Sequence, residues 1–549
     1  MTGGRLRIPP FRNAPIAILL LLAAGLIAHT GCGGSVGDDR TAELAALQLE
    51  WRDVTGLQAL MDQGEITAEE LTVYCLQRIA ELDDDGPRLN AVLEINPRAR
   101  EIAATLDGER RQIGPRGPLH GIPVLLKANI DTGDRMTTTA GSLALAGHRA
   151  ERDAFLAARL REAGAVILGK TNLSEWANFR SSRSTSGWSS EGGQTRNPHV
   201  LDRSPCGSSS GSAVAVAAGL APLAVGTETD GSVVCPSGTN GIVGLKPTLG
   251  LVSRDGIIPI AHSQDTAGPM TRSVRDAALL LTAMAVADPD DPAAGDLPES
   301  LPDDYASALG GTRLDGLRVG VMRDYYGKGN NPGVDQLFET AVSRLKGLGA
   351  EIVDPAELGN REGLDAAEYE VLLYEFKTDL AAYLAAHDHP NGVAGLEHII
   401  AFNEANADAV MPWFGQEIFT AAAEKGPLTD EAYREALEKS KRLARGAIDG
   451  ALEEDGLDLL IAPTNGPAWV VDPVNGDSFG TSVASSTLPA VAGYPNLTVP
   501  MGTVHGLPVG LSFFGAAFSE PVLLRTAYAF EQAGPPRAAP RFLPSIAVE

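Results

Sequence analysis

Positive charge is scarce in this chain. Its 549 residues hold 44 Lys and Arg against 70 Asp and Glu, a net charge of −26 at neutral pH. Such a surface repels phosphate backbones, which argues against nucleic acid as a partner. Cysteine is scarcer still, at four residues. Cys32 belongs to an N-terminal leader, and Cys75, Cys206 and Cys235 form an odd remainder without metal-ligand spacing, so no metal is expected. Cys75 falls on the apolar face of a helical pattern and reads as a buried thiol. Cys206 and Cys235 flank serine-rich segments and could be near each other, with a structural disulfide the less favoured of the two readings. The apolar run from Ile16 to Ala28 is shorter than the ~20 residues that a bilayer span needs. There is no internal repeat. What is left, 44% hydrophobic and 21% charged residues, is the ordinary balance of a folded protein.

The N-terminus has its own chemistry. Arg5, Arg7 and Arg12 precede the apolar run, and the combination over residues 1–31 has the form of an export signal. Thr30-Gly31-Cys32 resembles a bacterial lipoprotein cleavage box, with His29 where an aliphatic residue is usual. The expected location is therefore the periplasm or cell envelope, and a lipid on Cys32 would attach the chain to a membrane. Residues 32–50, polar from Gly33 to Arg40, read as a tether.

From residue 51 onward strand and helix patterns alternate. Thr67 and Glu70 form a capping box ahead of an apolar stripe through Leu71, Tyr74, Cys75, Ile79 and Leu82. His120 to Lys127 reads as a buried strand ending on a lysine. Phe155 to Ala163 reads as a helix stopped by Gly164, and Ala165 to Leu168 as a short strand. Ser212 to Ala218 is a small-residue helix. Leu223 to Gly226, Leu317 to Met322 and Leu457 to Ala462 are further strands. The alternation indicates an α/β fold, a mixed sheet covered by helices on both faces. Asp288 to Pro302 is a loop rich in Asp and Pro, and residues 303–450 read as a more helical insertion within one large domain, 51–549.

Two segments stand out: Ser204-Pro-Cys-Gly-Ser-Ser-Ser-Gly-Ser212 and Gly226-Thr-Glu-Thr-Asp-Gly-Ser-Val-Val-Cys-Pro236. An isolated run of this composition is usually a surface loop. Gly207 to Gly211 also fits the nucleophile-elbow pattern with Ser209 at its centre. The preceding residues Asp202 to Cys206 are not an apolar strand, which argues against that reading. A phosphate loop would need Gly-Lys-Ser/Thr at its end, and neither segment has it.

Taken in order, Gly121 to Lys127, the two serine segments and Gly241-Ile-Val-Gly-Leu-Lys-Pro-Thr248 resemble the amidase signature family. Ala163 to Asn172, Ala492 to Pro500 and Leu507 to Gly510 extend the likeness over roughly residues 55–530. Within that family the chain is most similar to the bacterial peptide amidases, in Ser174 to Phe179, Gly193 to Pro198, Gly226 to Ser232, Leu251 to Ile260 and Tyr374 to Lys377. Two departures from the general family pattern stand out. The run Asp230-Gly231-Ser232-Val233-Val234 replaces Gly-Gly-Ser-Ile-Arg, and Ala128 follows Lys127 where Asp is common.

The resemblance implies a Ser-cisSer-Lys hydrolase without metal or cofactor. Ser232 would be the nucleophile, Ser208 a relay after a cis peptide bond, and Lys127 the base. Backbone N–H groups across Thr229, Asp230, Gly231 and Ser232 would hold the oxyanion. A lysine is a base only when neutral, and burial lowers its pKa from about 10.4. Ser209, Ser210 and Ser212 are expected in turn and helix-start roles, Asp131 and Glu175 in structural ones. His120 is expected to pack or donate a hydrogen bond, and His387 and His389 to sit in a solvated loop. The expected substrate is the C-terminal amide of a peptide. The alternatives are aryl or acyl amides, the amide-hydrolysing subunit of a tRNA-dependent amidotransferase, and a non-catalytic binding protein.

Overall fold

Apolar runs build the middle of a sheet. The computed structural model describes residues 40, 43–323, 331–387, 389, 391–478 and 485–546. The expected export segment 1–31 and Cys32 lie outside the described residues. The strands are β1 (Val92–Ile95), β2 (Pro123–Lys127), β3 (Val166–Thr171), β4 (Leu223–Glu228), β5 (Val243–Lys246), β6 (Thr266–Thr271), β7 (Arg318–Val321), β8 (Glu351–Val353), β9 (Leu459–Pro463), β10 (Asn496–Val504) and β11 (Leu507–Phe514). They form one 11-stranded mixed sheet in the order β1-β3-β2-β4-β6-β5-β10-β11-β9-β7-β8. Every residue of β2, β3 and β4 is buried. Strands covered on both faces read as continuous apolar runs, which is why these were visible in the sequence.

β2 runs parallel to β3 and to β4, with Leu126 beside Val225. That register brings the carboxyl ends of two neighbouring strands together, at Lys127 and at the segment after Gly226. Carboxyl ends of parallel strands are where α/β sheets build their sites. β2 starts at Pro123 rather than His120, because Ile122 N–H closes a turn on Leu119 and Gly121 takes φ +80°.

Helices pack around the sheet. α1 (Ala68–Ile79) carries the expected capping box, with Thr67 accepting from Glu70 N–H and Glu70 accepting from Thr67 N–H at 2.9 Å. α2 (Ser210–Ala217) is wholly buried and lies against β2, β3 and β4. α3 (Val234–Asn240) follows the second serine segment. Residues 303–450 hold β7 and β8, at one edge of the sheet, together with the helices α4 (Pro332–Gly347), α5 (Leu364–Ala385) and most of α6 (Glu431–Asp455). α7 (Glu520–Gln532) comes last. On α5, Phe376, Leu380 and Tyr383 share a core cluster with Trp176, Phe179, Ile258 and Ile260.

Gln48–Glu549 is one compact unit. It begins slightly ahead of the expected tether end: Leu49 is buried and Glu50 accepts from the Tyr74 hydroxyl at 2.6 Å. In the preceding unit, Arg40 pairs with Glu43 at 3.0 Å.

Candidate active site

Lys127 closes β2 with its side chain wholly out of water. Among the described residues no carboxylate forms an ion pair with it. Its Nζ lies 2.7 Å from Ser208 Oγ, 2.8 Å from Thr227 Oγ1 and 3.1 Å from the Thr227 carbonyl. Asn129 Nδ2 donates to the same Thr227 hydroxyl at 3.0 Å. Burial lowers the lysine from 10.5 to about 7, against the weaker pull of the Asp265 and Glu228 carboxylates. A large neutral fraction is therefore present near neutral pH.

Ser208 follows a cis peptide bond from Gly207. A side chain on residue 207 would not fit, since a Cβ would stand 2.2 Å from Ser174 Oγ. The other hydroxyls of this segment are engaged with backbone. Ser204 Oγ accepts from Cys206 N–H at 3.1 Å, and Ser209 Oγ donates to the Thr227 carbonyl at 3.0 Å. Ser210 Oγ donates to the Cys206 carbonyl at 2.7 Å, and Ser212 Oγ to that of Val225 at 3.1 Å. These bonds give Ser209, Ser210 and Ser212 the structural roles expected of them.

The second segment turns sharply after β4. Gly231 takes φ +76°, a conformation that favours glycine. Glu228 accepts from the N–H groups of Val233 at 2.7 Å and Val234 at 3.0 Å, which fixes the start of α3. Thr229 Oγ1 donates to Asp265 at 2.6 Å, and Thr487 Oγ1 to Asp230 at 2.8 Å. Ser232 is 8% exposed. Among the described residues, nothing hydrogen-bonds its hydroxyl, and no acceptor takes the N–H of Asp230, Gly231 or Ser232.

The two segments lie edge to edge. Ser209 N–H donates to the Ser232 carbonyl at 3.1 Å. Cys206 and Cys235 form a disulfide, with Cα atoms 6.0 Å apart. This corrects the expectation that they stay unbridged. They are 29 residues apart in sequence, and only the turn at Ser208 and the start of α3 bring them together. Cys75 is a free, buried thiol.

Other expected residues stand apart from this centre. Asp131 accepts from the Tyr383 hydroxyl at 2.9 Å and lies 3.5 Å from His387. Glu175 forms a buried ion pair with Arg180. His120 Nε2 donates to the Leu106 carbonyl at 3.0 Å. His262, Glu375 and Asp379 are close enough to resemble a metal cluster. Both imidazole nitrogens face carboxylates, however, Nδ1 at 2.9 Å from Asp379 and Nε2 at 3.4 Å from Glu375. The hydrogen bond to Asp379 raises the imidazole above its usual pKa, which suits a cation rather than a ligand.

A cavity of about 340 Å³ opens beside Thr227 and Thr229, with Asn129, Ile258, Ile260 and Tyr383 among its walls. Sequence reasoning missed Thr227, Asn129 and Tyr383. The likeness of Tyr374 to Lys377 to one family branch was the nearest signal for the helix that carries Tyr383.

Comparison with known proteins agrees with this architecture. Residues 70–524 match the family described as Amidase. A probable amidase of Arabidopsis thaliana is 38% identical over 96% of this chain and 97% of its own length. One of the subunits of the glutamyl-tRNA(Gln) amidotransferase of Moorella thermoacetica is 37% identical over 88% of this chain and 97% of its own. The chain belongs to the amidase family, and it is an amide-hydrolysing enzyme. Its fold is that of the solved peptide amidase from Stenotrophomonas maltophilia: TM-score 0.86 and 52% identity, over 90% of this chain and 99% of that one.

The pairing of Cys206 with Cys235 has a direct check. Alkylation of the denatured, unreduced protein should label Cys75 and leave Cys206 and Cys235 unmodified by peptide mass mapping. Labelling of all three would disprove the pairing.

Proposed function

We propose that this enzyme hydrolyses carboxamides through Ser232, Ser208 and Lys127, and that its substrates are the C-terminal amides of peptides. The contact of 2.7 Å between Ser208 and a buried lysine in no ion pair among the described residues carries the reading. With Thr227 accepting two of its N–H bonds, a neutral Lys127 has its lone pair left for Ser208. Ser208 passes its proton to Lys127 and takes the proton of Ser232. The Ser232 oxygen attacks the amide carbon. The N–H groups left without acceptors at Asp230, Gly231 and Ser232, with that of Thr229, receive the oxyanion; one such donor is typically worth about 100–1,000-fold in rate. The relay then returns its proton to the leaving nitrogen, the C–N bond breaks, and ammonia departs. Water attacks the resulting ester and releases the carboxylate.

Likeness to the peptide amidase supports the substrate class, as does the partly apolar cavity beside Thr227. Likeness to the amidotransferase favours a second reading, in which the amide belongs to a smaller donor. Export also enters as a proposal. The disulfide supports it, since such bonds persist in oxidising compartments.

Ser232→Ala and Lys127→Ala should each cut ammonia release by more than about a thousandfold. In the wild type kcat/KM should fall as pH drops through about 7, because protonation removes the neutral lysine. Retained activity in both variants, or a flat profile between pH values of about 5 and 8, would sink the mechanism. Mass spectrometry of a panel of peptide amides, anilides and glutamine tests the substrate: the peptide amides should be converted fastest, and preference for anilides or glutamine would reject that class. Expressed with its own leader, the protein should appear outside the cytoplasm on fractionation; a purely cytoplasmic signal would reject export.

A further inference from the structure

A second cavity, of about 230 Å³, lies apart from the serine centre and shares none of its residues. Arg272 reaches it from the turn after β6, Arg344 from the last turn of α4, and Arg537 from the chain beyond α7. One acid, Glu531, lines it with them. The chain as a whole is strongly anionic, so three arginines lining one small space are contrary to its composition.

Among the described residues none of these groups forms an ion pair, although Asp276 attracts Arg272 and Glu531 attracts Arg537. Arg272 donates to the carbonyls of Arg52, Val216 and Ala221, and its Nε has no hydrogen-bond partner. The acid that attracts it most, Asp276, lines an adjoining pocket with Arg272 and Arg537 rather than this cavity. Among the described residues, the side chain of Arg537 forms no hydrogen bond or ion pair, and its Nη1 is buried. Arg344 likewise pairs with no acid; its guanidinium lies 4.3 Å from the centre of the Phe530 ring. Burial, then the neighbouring Arg272, lowers Arg537 to about 9, and burial lowers Arg344. Glu531 attracts Arg537 without forming an ion pair with it. It is bound to Val274 N–H at 3.1 Å, and burial pushes it up to about 7. All three side chains are partly exposed, so water meets part of their charge, and an anion in the cavity would meet the rest.

Apart from His199 and Thr503, the other side chains of the lining are apolar, Met501, Pro508 and Pro536 among them. A bare inorganic anion would satisfy the guanidinium groups and leave those walls wet. The volume is below the ~300–1,000 Å³ of pockets for drug-sized ligands, so the occupant is small. We propose that this cavity binds a small organic carboxylate, with its charged end on Arg344 and Arg537 and its apolar body against Met501, Pro508 and Pro536.

The site has a structural route to the catalytic centre. Gly241, which caps α3, lines the cavity, and α3 begins just after Ser232. His199, another lining residue, donates from Nε2 to the Asn240 carbonyl at 3.0 Å. The proposal claims binding and does not depend on that route.

Isothermal titration calorimetry on the full chain tests it, with benzoate as probe and benzyl alcohol and inorganic phosphate as comparators. Benzoate should bind and benzyl alcohol should not. Arg344→Gln and Arg537→Gln should each weaken benzoate by about tenfold or more, the usual scale of a charge-assisted contact. Ammonia release without benzoate should be unchanged in Arg537→Gln, which also shows that the variant folds. Absence of benzoate binding, an affinity unchanged in both variants, or phosphate binding as tightly as benzoate would overturn the proposal.

Discussion

A lysine without a counter-ion at the end of a buried strand is the constraint on which the site depends. Lys127 keeps three oxygen partners and no carboxylate. Charged, it would bear most of the cost of leaving water; neutral, it is a base. Burial preserves that state against the weaker pull of the Asp265 and Glu228 carboxylates. β2 is sealed on both faces, and the register with β4 supplies Thr227 as a polar partner that brings no negative charge. Two other buried lysines show the contrast. Lys170 donates to the Ile130 carbonyl and Thr138, and Lys246 to the Pro247 carbonyl. Neither has a serine against its amine.

The two serine segments are held by backbone rather than by side-chain packing. Ser209, Ser210 and Ser212 anchor the first to its own turn and to β4, while Glu228 anchors the second to the start of α3. The disulfide and the Ser209–Ser232 bond then join the segments to each other. Glycines at 207 and 231 permit this closeness, one by having no Cβ to strike Ser174 and one by its positive φ.

Legibility in the sequence followed the range of the interaction. The capping box at Thr67 and Glu70 spans three residues and could be read directly. The runs ending at Lys127 and starting at Leu223 were legible because strands buried on both faces have no polar alternation to confuse. β8 was not foreseen: it is three residues long, at the sheet edge, and Glu351 is exposed. The disulfide was missed because nothing local brings residues 206 and 235 together. The choice among serines had the same difficulty. A generic pattern pointed to Ser209 and family likeness to Ser232, while the structural distinction depends on which hydroxyls meet carbonyls elsewhere on the sheet.

In the proposed mechanism that distinction also governs reactivity. Ser204, Ser208, Ser209, Ser210, Ser212 and Ser232 carry chemically identical groups, and only Ser232 has no partner among the described residues. An electrophile entering the site meets one unoccupied alcohol among several that already hold hydrogen bonds. Selectivity among equals then comes from occupancy: the backbone engages four of these hydroxyls and Lys127 a fifth, and the sixth is distinguished by being left over.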